Sequence, residues 1–174
     1  ERESQPGYHT TGRSAASYTT VYGNAVIRGL TIAGRPFYEA PPPDFADTPL
    51  LTPLGALFFA DADHLAQLDT LLEDVRDPSR LVRLTGDEVR ERVPVLGPQV
   101  VGGAYELTAR GIDVHALHQG FIRGLRANGG ILRTETEVRG LASANGRWIV
   151  ETNQDTVRAP VVINASGAWG DEVA

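Results

Sequence analysis

Late in the chain, Pro160-Val161-Val162-Ile163 runs directly into Asn164-Ala165-Ser166-Gly167-Ala168-Trp169. A short apolar run rich in β-branched residues, without polar alternation, predicts a parallel central strand buried on both faces. Small residues between such a strand and a helix let a ligand come close to the backbone. An ordinary strand-to-helix turn has the same local pattern. Either way, this feature points to a fold of packed helices and sheet, α/β or α+β.

The rest of the chain supplies matching elements. Residues 1–16 are polar and turn-rich, a loop or strand end. From Ser14 to Tyr38 the pattern is mostly helical, with Ala25, Val26, Leu30, Ala33 and Phe37 on one face and a break at Gly23-Asn24. Pro41-Pro42-Pro43 forces extended chain. Leu54 to Phe59 reads as a buried strand. Asp61-Ala62-Asp63 offers an N-cap to a helix striped by Leu65, Leu68, Leu71 and Leu72. Leu81 to Leu84 is a short strand, and Thr85 with Glu88 has capping-box spacing. Val100 to Leu107 is a strand with a Gly pair. Asp113 caps a helix over 114–128 that ends at Asn128-Gly129-Gly130. Ile131 to Arg133 is a short strand. Glu137 to Ala142 and Trp148 to Thr152 flank Asn145-Gly146, a hairpin signal, and a third strand begins at Val157.

Composition removes several function classes. The net charge of −6 argues against a general nucleic-acid binder, which needs a basic face. There is no apolar run long enough for a spanning helix, and no signal-peptide pattern. The absence of Cys removes disulfides, thiolate metal sites and Cys nucleophiles, and suits a reducing cytoplasm. The chain starts Glu1-Arg2-Glu3 and contains no Met, so a segment upstream is expected.

Four places carry candidate chemistry. Glu1 at a strand end can accept both hydroxyls of a ribose, or is a solvated terminal charge. Thr10-Thr11-Gly12-Arg13-Ser14-Ala15-Ala16 combines hydroxyls, a Gly, an Arg and a helix start, which suits an anion; a capped surface helix fits equally. Asn164 to Trp169 is the third. The fourth is the His set. His115 and His118 lie three apart on one helix, but nothing nearby completes a metal shell, and no metal is expected. His9 and His64 read as isolated.

These blocks, in order, resemble the D-amino-acid oxidase-like FAD-dependent oxidoreductases. The opening, Glu1-Arg2-Glu3 then Gln5-Pro6-Gly7-Tyr8-His9-Thr10-Thr11-Gly12-Arg13-Ser14-Ala15-Ala16, is similar to the family's second block. Gly111-Ile112-Asp113-Val114-His115-Ala116-Leu117 is similar to its Gly-x-Asp-x-x-x-Leu helix opening, and Ile163 to Trp169 to its later block. Within the family, Tyr18, Tyr22-Gly23, Pro94-Val95-Leu96 and Leu117-His118-Gln119-Gly120 resemble bacterial D-amino-acid dehydrogenases of the D-arginine type.

The resemblance implies a partial FAD-binding Rossmann-like domain with part of a mixed-sheet substrate domain. Residues 1–45 and 108–174 would be FAD-binding, and 46–107 part of the substrate domain. Glu1 would hold the adenosine ribose and Arg2 would lie near the adenine. Thr11, Gly12, Arg13, Ser14, Ala15 and Ala16 would line the pyrophosphate and approach the isoalloxazine. Val138 would meet adenine through its backbone. Ala165, Ser166, Gly167 and Trp169 would close on the cofactor, and Tyr22 would face the substrate. The implied reaction oxidises a D-amino acid to its imino acid by hydride transfer to flavin N5, with an unidentified electron acceptor. The implied location is the bacterial cytoplasm, or the inner membrane's periphery. A 2-hydroxy-acid dehydrogenase, a glycine/sarcosine-type oxidase, or a cofactor-free interaction module are the rival readings. Thr52-Pro53-Leu54-Gly55-Ala56-Leu57 has no carboxylate to receive a cationic side chain, so a neutral or hydrophobic D-amino acid is favoured at least as much as D-arginine. The Gly-x-Gly-x-x-Gly turn and the family's C-terminal half are not in the sequence. The chain is therefore expected to be an inactive central fragment, with an exposed strand edge that makes it poorly soluble or oligomeric.

Overall fold

The computed structural model describes residues 1–173. They form two compact units. One consists of Ser14–Phe121. The other joins Glu1–Arg13 to the chain from Ile122 onward.

The Ser14–Phe121 unit holds two antiparallel sheets. Strand β1 (Ser17–Tyr18) is followed by helix α1 (Ala25–Glu39), then β2 (Leu51–Pro53) and β3 (Ala56–Ala60). Helix α2 (Leu65–Val75), β4 (Leu81–Thr85), α3 (Gly86–Arg92), β5 (Gly102–Glu106) and β6 (Arg110–Ile112) come next. Helix α4 (Val114–Ala127) carries the chain past Phe121. One sheet has the order β1-β6-β2 and the other β3-β5-β4. The alternation of β5 divides the core. Ala104 belongs to a cluster with Val21, Ala60, Leu68 and Leu81, against which the α2 side chains Leu65, Leu71 and Leu72 pack. Tyr105 packs on a second cluster of Leu84, Val89 and Val100, which brings in α3.

Local chemistry explains the ends of these elements. Asn24 caps α1, its side chain accepting from Val26 N–H and Ile27 N–H. Asp61 accepts from His64 N–H at 3.1 Å and opens the turn into α2. Thr85 and Glu88 form the predicted capping box at the start of α3. The Asp113 side chain accepts from Ala116 N–H at 2.8 Å and caps α4.

The other unit is built on a meander of β7 (Val138–Ala144), β8 (Arg147–Thr152) and β9 (Thr156–Ala159). Asn145 and Gly146 join β7 to β8 with φ of 53° and 71°, the two positive values a type I′ turn requires. A short helix α5 (Gly170–Val173) follows and lies against β7.

Several expectations are corrected. Every ladder among the described residues is antiparallel. The run 160–163 is not a strand, and Ile163 is 84% exposed. A strand buried on both faces needs a neighbour on each side, and no described strand pairs with it. Ile131 to Arg133 is likewise irregular, with Ile131 exposed. The stretch from Ser14 to Gly23 is extended or turn, because Ala16 and Ser17–Tyr18 pair with β6 instead. The α1 stripe is not buried: Val26 and Leu30 are exposed, and the helix has no buried residue. No helix of the described residues is long and apolar enough to cross a membrane.

Candidate functional site

The first residues of the chain lie beside 133–136. The Glu1 amino group donates to Arg133 O at 3.1 Å, Thr136 N–H to Glu1 O at 2.9 Å, and Glu135 N–H to Glu3 O at 2.9 Å. Glu1 is exposed, and one of its carboxylate oxygens accepts from Glu3 N–H at 3.0 Å. Its remaining acceptor positions suit a pair of hydroxyl donors such as a ribose diol.

Arg2 and Trp169, far apart in sequence, come together. The Arg2 guanidinium lies 4.3 Å from the centre of the Trp169 ring. The His9 ring lies tilted against the same indole, with centroids 4.6 Å apart. His9 is not isolated as its sequence position suggests: its Nε2 is 2.8 Å from Glu3 Oε1. That bond holds the Glu3 carboxyl below the usual carboxylate range; partial burial opposes the shift, and Arg2, 3.3 Å away, adds to it. His64 is also engaged, its Nδ1 lying 2.6 Å from Asp61 Oδ1, and this bond raises the imidazole above its ordinary value. Asn164 opens the candidate stretch Asn164 to Trp169, whereas Glu3 and His9 have no separate site signal in the sequence. Glu3 and His9 are marked only by their place in the opening block, Glu1-Arg2-Glu3 and Gln5 to Ala16.

Thr11–Arg13 form a single 3-10 turn, all exposed. Gly12 is there for space. A Cβ on it would sit 2.2 Å from the Gly7 carbonyl oxygen, so no side chain fits without moving backbone. The Arg13 Nε donates to Tyr8 O at 3.0 Å, and its guanidinium lies 4.7 Å over the Tyr8 ring. Exposed backbone at a turn, a Thr hydroxyl and a guanidinium form a donor set that suits a phosphate.

The later block folds on itself. Asn164 Oδ1 accepts from Ser166 N–H at 3.2 Å and Ser166 Oγ at 2.8 Å, while its Nδ2 donates to Gly170 O at 2.8 Å. Gly167 has φ of 60° with open space where a Cβ would stand. Ala165 is exposed. Val138 opens β7 opposite Thr152, next to a register shift before Gly140.

Glu1, Arg2, Thr11, Gly12, Arg13, Val138, Ala165, Ser166, Gly167 and Trp169 thus share one unit. Ser14, Ala15, Ala16 and Tyr22 belong to the other. Ser14 and Ala15 are exposed, Ala16 O accepts from Ile112 N–H at 3.0 Å, and Tyr22 is 70% exposed. Among the described residues no group of His, Asp or Glu is placed to hold a metal. The same is true of His115 and His118 on α4.

The family described as DAO, FAD dependent oxidoreductase, matches residues 1–174, and the chain belongs to it. Its cofactor is FAD, as in that family. Human mitochondrial dimethylglycine dehydrogenase is 34% identical over 89 residues, covering 50% of this chain and 10% of that enzyme. Glycine oxidase from Geobacillus kaustophilus has the same fold, with a TM-score of 0.79 at 21% identity over 99% of this chain and 49% of that one. L-alpha-glycerophosphate oxidase from Mycoplasma pneumoniae, solved with FAD bound, gives a TM-score of 0.75 at 18% identity over 95% and 46%. The chain therefore spans about half the length of these solved structures. With them it shares the α/β architecture of an FAD-binding Rossmann-like fold, in helices and antiparallel sheets.

Proposed function

We propose that the protein is an FAD-dependent dehydrogenase of D-amino acids with neutral side chains. Family membership across all of residues 1–174 is the observation that carries the flavin chemistry. Bound FAD would accept a hydride at N5 from the substrate α-carbon, leaving an imino acid.

The chain's own residues would bind and orient. Glu1 would hold the ribose hydroxyls, and Arg2, kept in place by Trp169, would lie at the adenine with the Val138 backbone. Thr11, Gly12 and Arg13 would cradle the pyrophosphate, and Ser14, Ala15 and Ala16, next in sequence, would approach the flavin ring. Ala165, Ser166 and Gly167 would approach from the other side. Tyr22 would orient the substrate or help shed its amine proton. The expected assignment of 46–107 to substrate binding is part of this reading.

The preference for a neutral side chain rests on residues 52–57, which are not the loop expected from sequence but the end of β2, a two-residue link and the start of β3. They include no carboxylate. The acidic residue opposite Ala56 in the β3–β5 ladder is Glu106, which is fully buried and bonded to threonines. A guanidinium there would lose water without gaining a free partner.

The 34% identity to dimethylglycine dehydrogenase over 89 residues favours a second reading, an oxidoreductase of N-methylated glycine. Anaerobic bleaching of the flavin absorbance in the full-length protein separates them. The panel is D-leucine, D-arginine, L-leucine, sarcosine, dimethylglycine and a 2-hydroxy acid. Bleaching by D-leucine supports the first reading. Bleaching by sarcosine or dimethylglycine alone replaces it with the second, and by the hydroxy acid alone removes both. A full-length protein that binds no flavin would leave an interaction module.

A further inference from the structure

Glu106 ends β5, is fully buried, and has no part in the chemistry above. Its oxygens are filled by four donors. Thr19 Oγ1 donates at 2.5 Å, Thr20 N–H at 2.7 Å, Thr20 Oγ1 at 2.9 Å and Thr108 Oγ1 at 3.0 Å. Thr108 Oγ1 also lies 2.9 Å from Thr20 Oγ1, so its one proton serves one partner or the other. Arg80 closes the network from β4's leading end, with Nε donating to Thr20 Oγ1 at 3.1 Å and a terminal nitrogen donating to Thr20 O.

Apolar side chains would fill this space at lower cost than a carboxyl group. A fully satisfied polar network does something apolar packing does less well: it selects one backbone arrangement. The backbone selected here is 18–21, where Tyr18, Thr20 and Val21 are all buried. The next residue is Tyr22, which projects outward. Gly23, at φ of 76°, then turns the chain into the Asn24 cap of α1. Tyr22 is therefore mounted between two fixed points, and Glu106 makes one of them.

We propose that Glu106 is a positioning residue: through Thr19 and Thr20 it fixes the backbone that presents Tyr22 to the substrate. The inference rests on the substrate-facing role given to Tyr22 above.

The test uses the full-length, FAD-loaded protein as wild type, Glu106→Ala, Glu106→Gln, Tyr22→Phe and the Tyr22→Phe/Glu106→Ala double variant. Hydrogen exchange of the 17–22 amides is read first. Exchange there should rise in Glu106→Ala, while the β7–β8 hairpin stays unchanged. The limiting rate of flavin reduction by D-leucine should fall between about tenfold and about a hundredfold, as expected for a displaced reacting geometry. Glutamine keeps an acceptor for Thr20 and Thr108 and can donate to Thr19, so Glu106→Gln should restore most of the rate. In the Tyr22→Phe background, Glu106→Ala should cost far less than it does alone. Unchanged exchange over 17–22, or fully additive losses, overturns the proposal. If Tyr22→Phe itself leaves the rate and its pH profile unchanged, the role of Tyr22 fails, and the exchange data still decide whether Glu106 holds the segment. Should Glu106→Ala not fold, Thr20→Val removes the hydroxyl between Arg80 and Glu106 at nearly constant volume. A wild-type rate and wild-type exchange in that variant overturn the proposal as well.

Discussion

Gly12 shows how one missing side chain can set the path of a turn. The 3-10 turn at Thr11–Arg13 folds back on Gly7 so closely that a methyl group would meet its carbonyl oxygen at 2.2 Å. Gly12→Ala must push the turn away, at about 1–3 kcal/mol if the backbone yields as overpacked sites do. Thermal unfolding should show the loss, and titration with FAD should show weakened binding. Wild-type affinity in a destabilised variant would detach the turn from the pyrophosphate. The sequence marks this place as a turn suited to an anion, because Gly, Thr and Arg sit together. It does not reveal the approach to Gly7, which depends on the path of the chain. Glu106 was more legible than it seemed. Period-two alternation puts it on the same face of β5 as Gly102 and Ala104, and a carboxyl group among such small neighbours is a sign of a buried network. Its partners Thr19 and Thr20 were hidden because their segment reads as helix.

At the level of elements, capping chemistry was legible and short-strand pairing was not. The Thr85–Glu88 box is a local motif, and the structure has it: Thr85 N–H donates to Glu88 Oε2 at 2.7 Å, Thr85 Oγ1 to the same atom at 2.9 Å, and Glu88 N–H to Thr85 Oγ1 at 3.3 Å. Thr85→Ala should cost about 1 kcal/mol, as removal of an N-cap does; chemical denaturation checks it. The bonds from the Thr85 backbone and then its side chain hold the Glu88 carboxyl below its ordinary range. A depressed carboxyl contributes stability above its unfolded value and loses that contribution as pH falls through its folded value. Acid titration of Glu88→Gln should therefore remove part of the wild-type's loss of stability at low pH; an unchanged acid limb would contradict the assignment. By contrast, β1 and β6 are too short to show a pattern, and each is defined by a partner distant in sequence. Helix α1 was found from its period, but Val26 and Leu30 of its apolar face are exposed, since period reports a face and not what covers it. Gly29, in that helix, has nothing within 4 Å of where a Cβ would stand. Gly29→Ala should raise stability by about 0.5–1 kcal/mol.

For the whole molecule, the sequence blocks established the family more securely than the periodicity established the fold. The reason is physical. A cofactor fixes residue types at defined places, whereas the run 160–163 could have been a buried strand only with neighbours on both sides. Electrostatics points to the same localised residues. A chain of net charge −6 has no general attraction for an anionic dinucleotide. In the proposed reading binding comes from concentrated donors, and the unit containing Glu1–Arg13 carries Arg2 and Arg13 beside exposed backbone. A ligand that binds only the folded state stabilises it by mass action, about 2.7 kcal/mol at a free concentration a hundred times its Kd. FAD at that excess should raise the unfolding free energy of the full-length protein by this amount. The gain in hydrogen-exchange protection should fall on residues 1–13 and 164–169, and weaken in Arg13→Ala. Stabilisation without protection of either segment would mean that FAD is held elsewhere, and that these two blocks serve the fold instead of the cofactor.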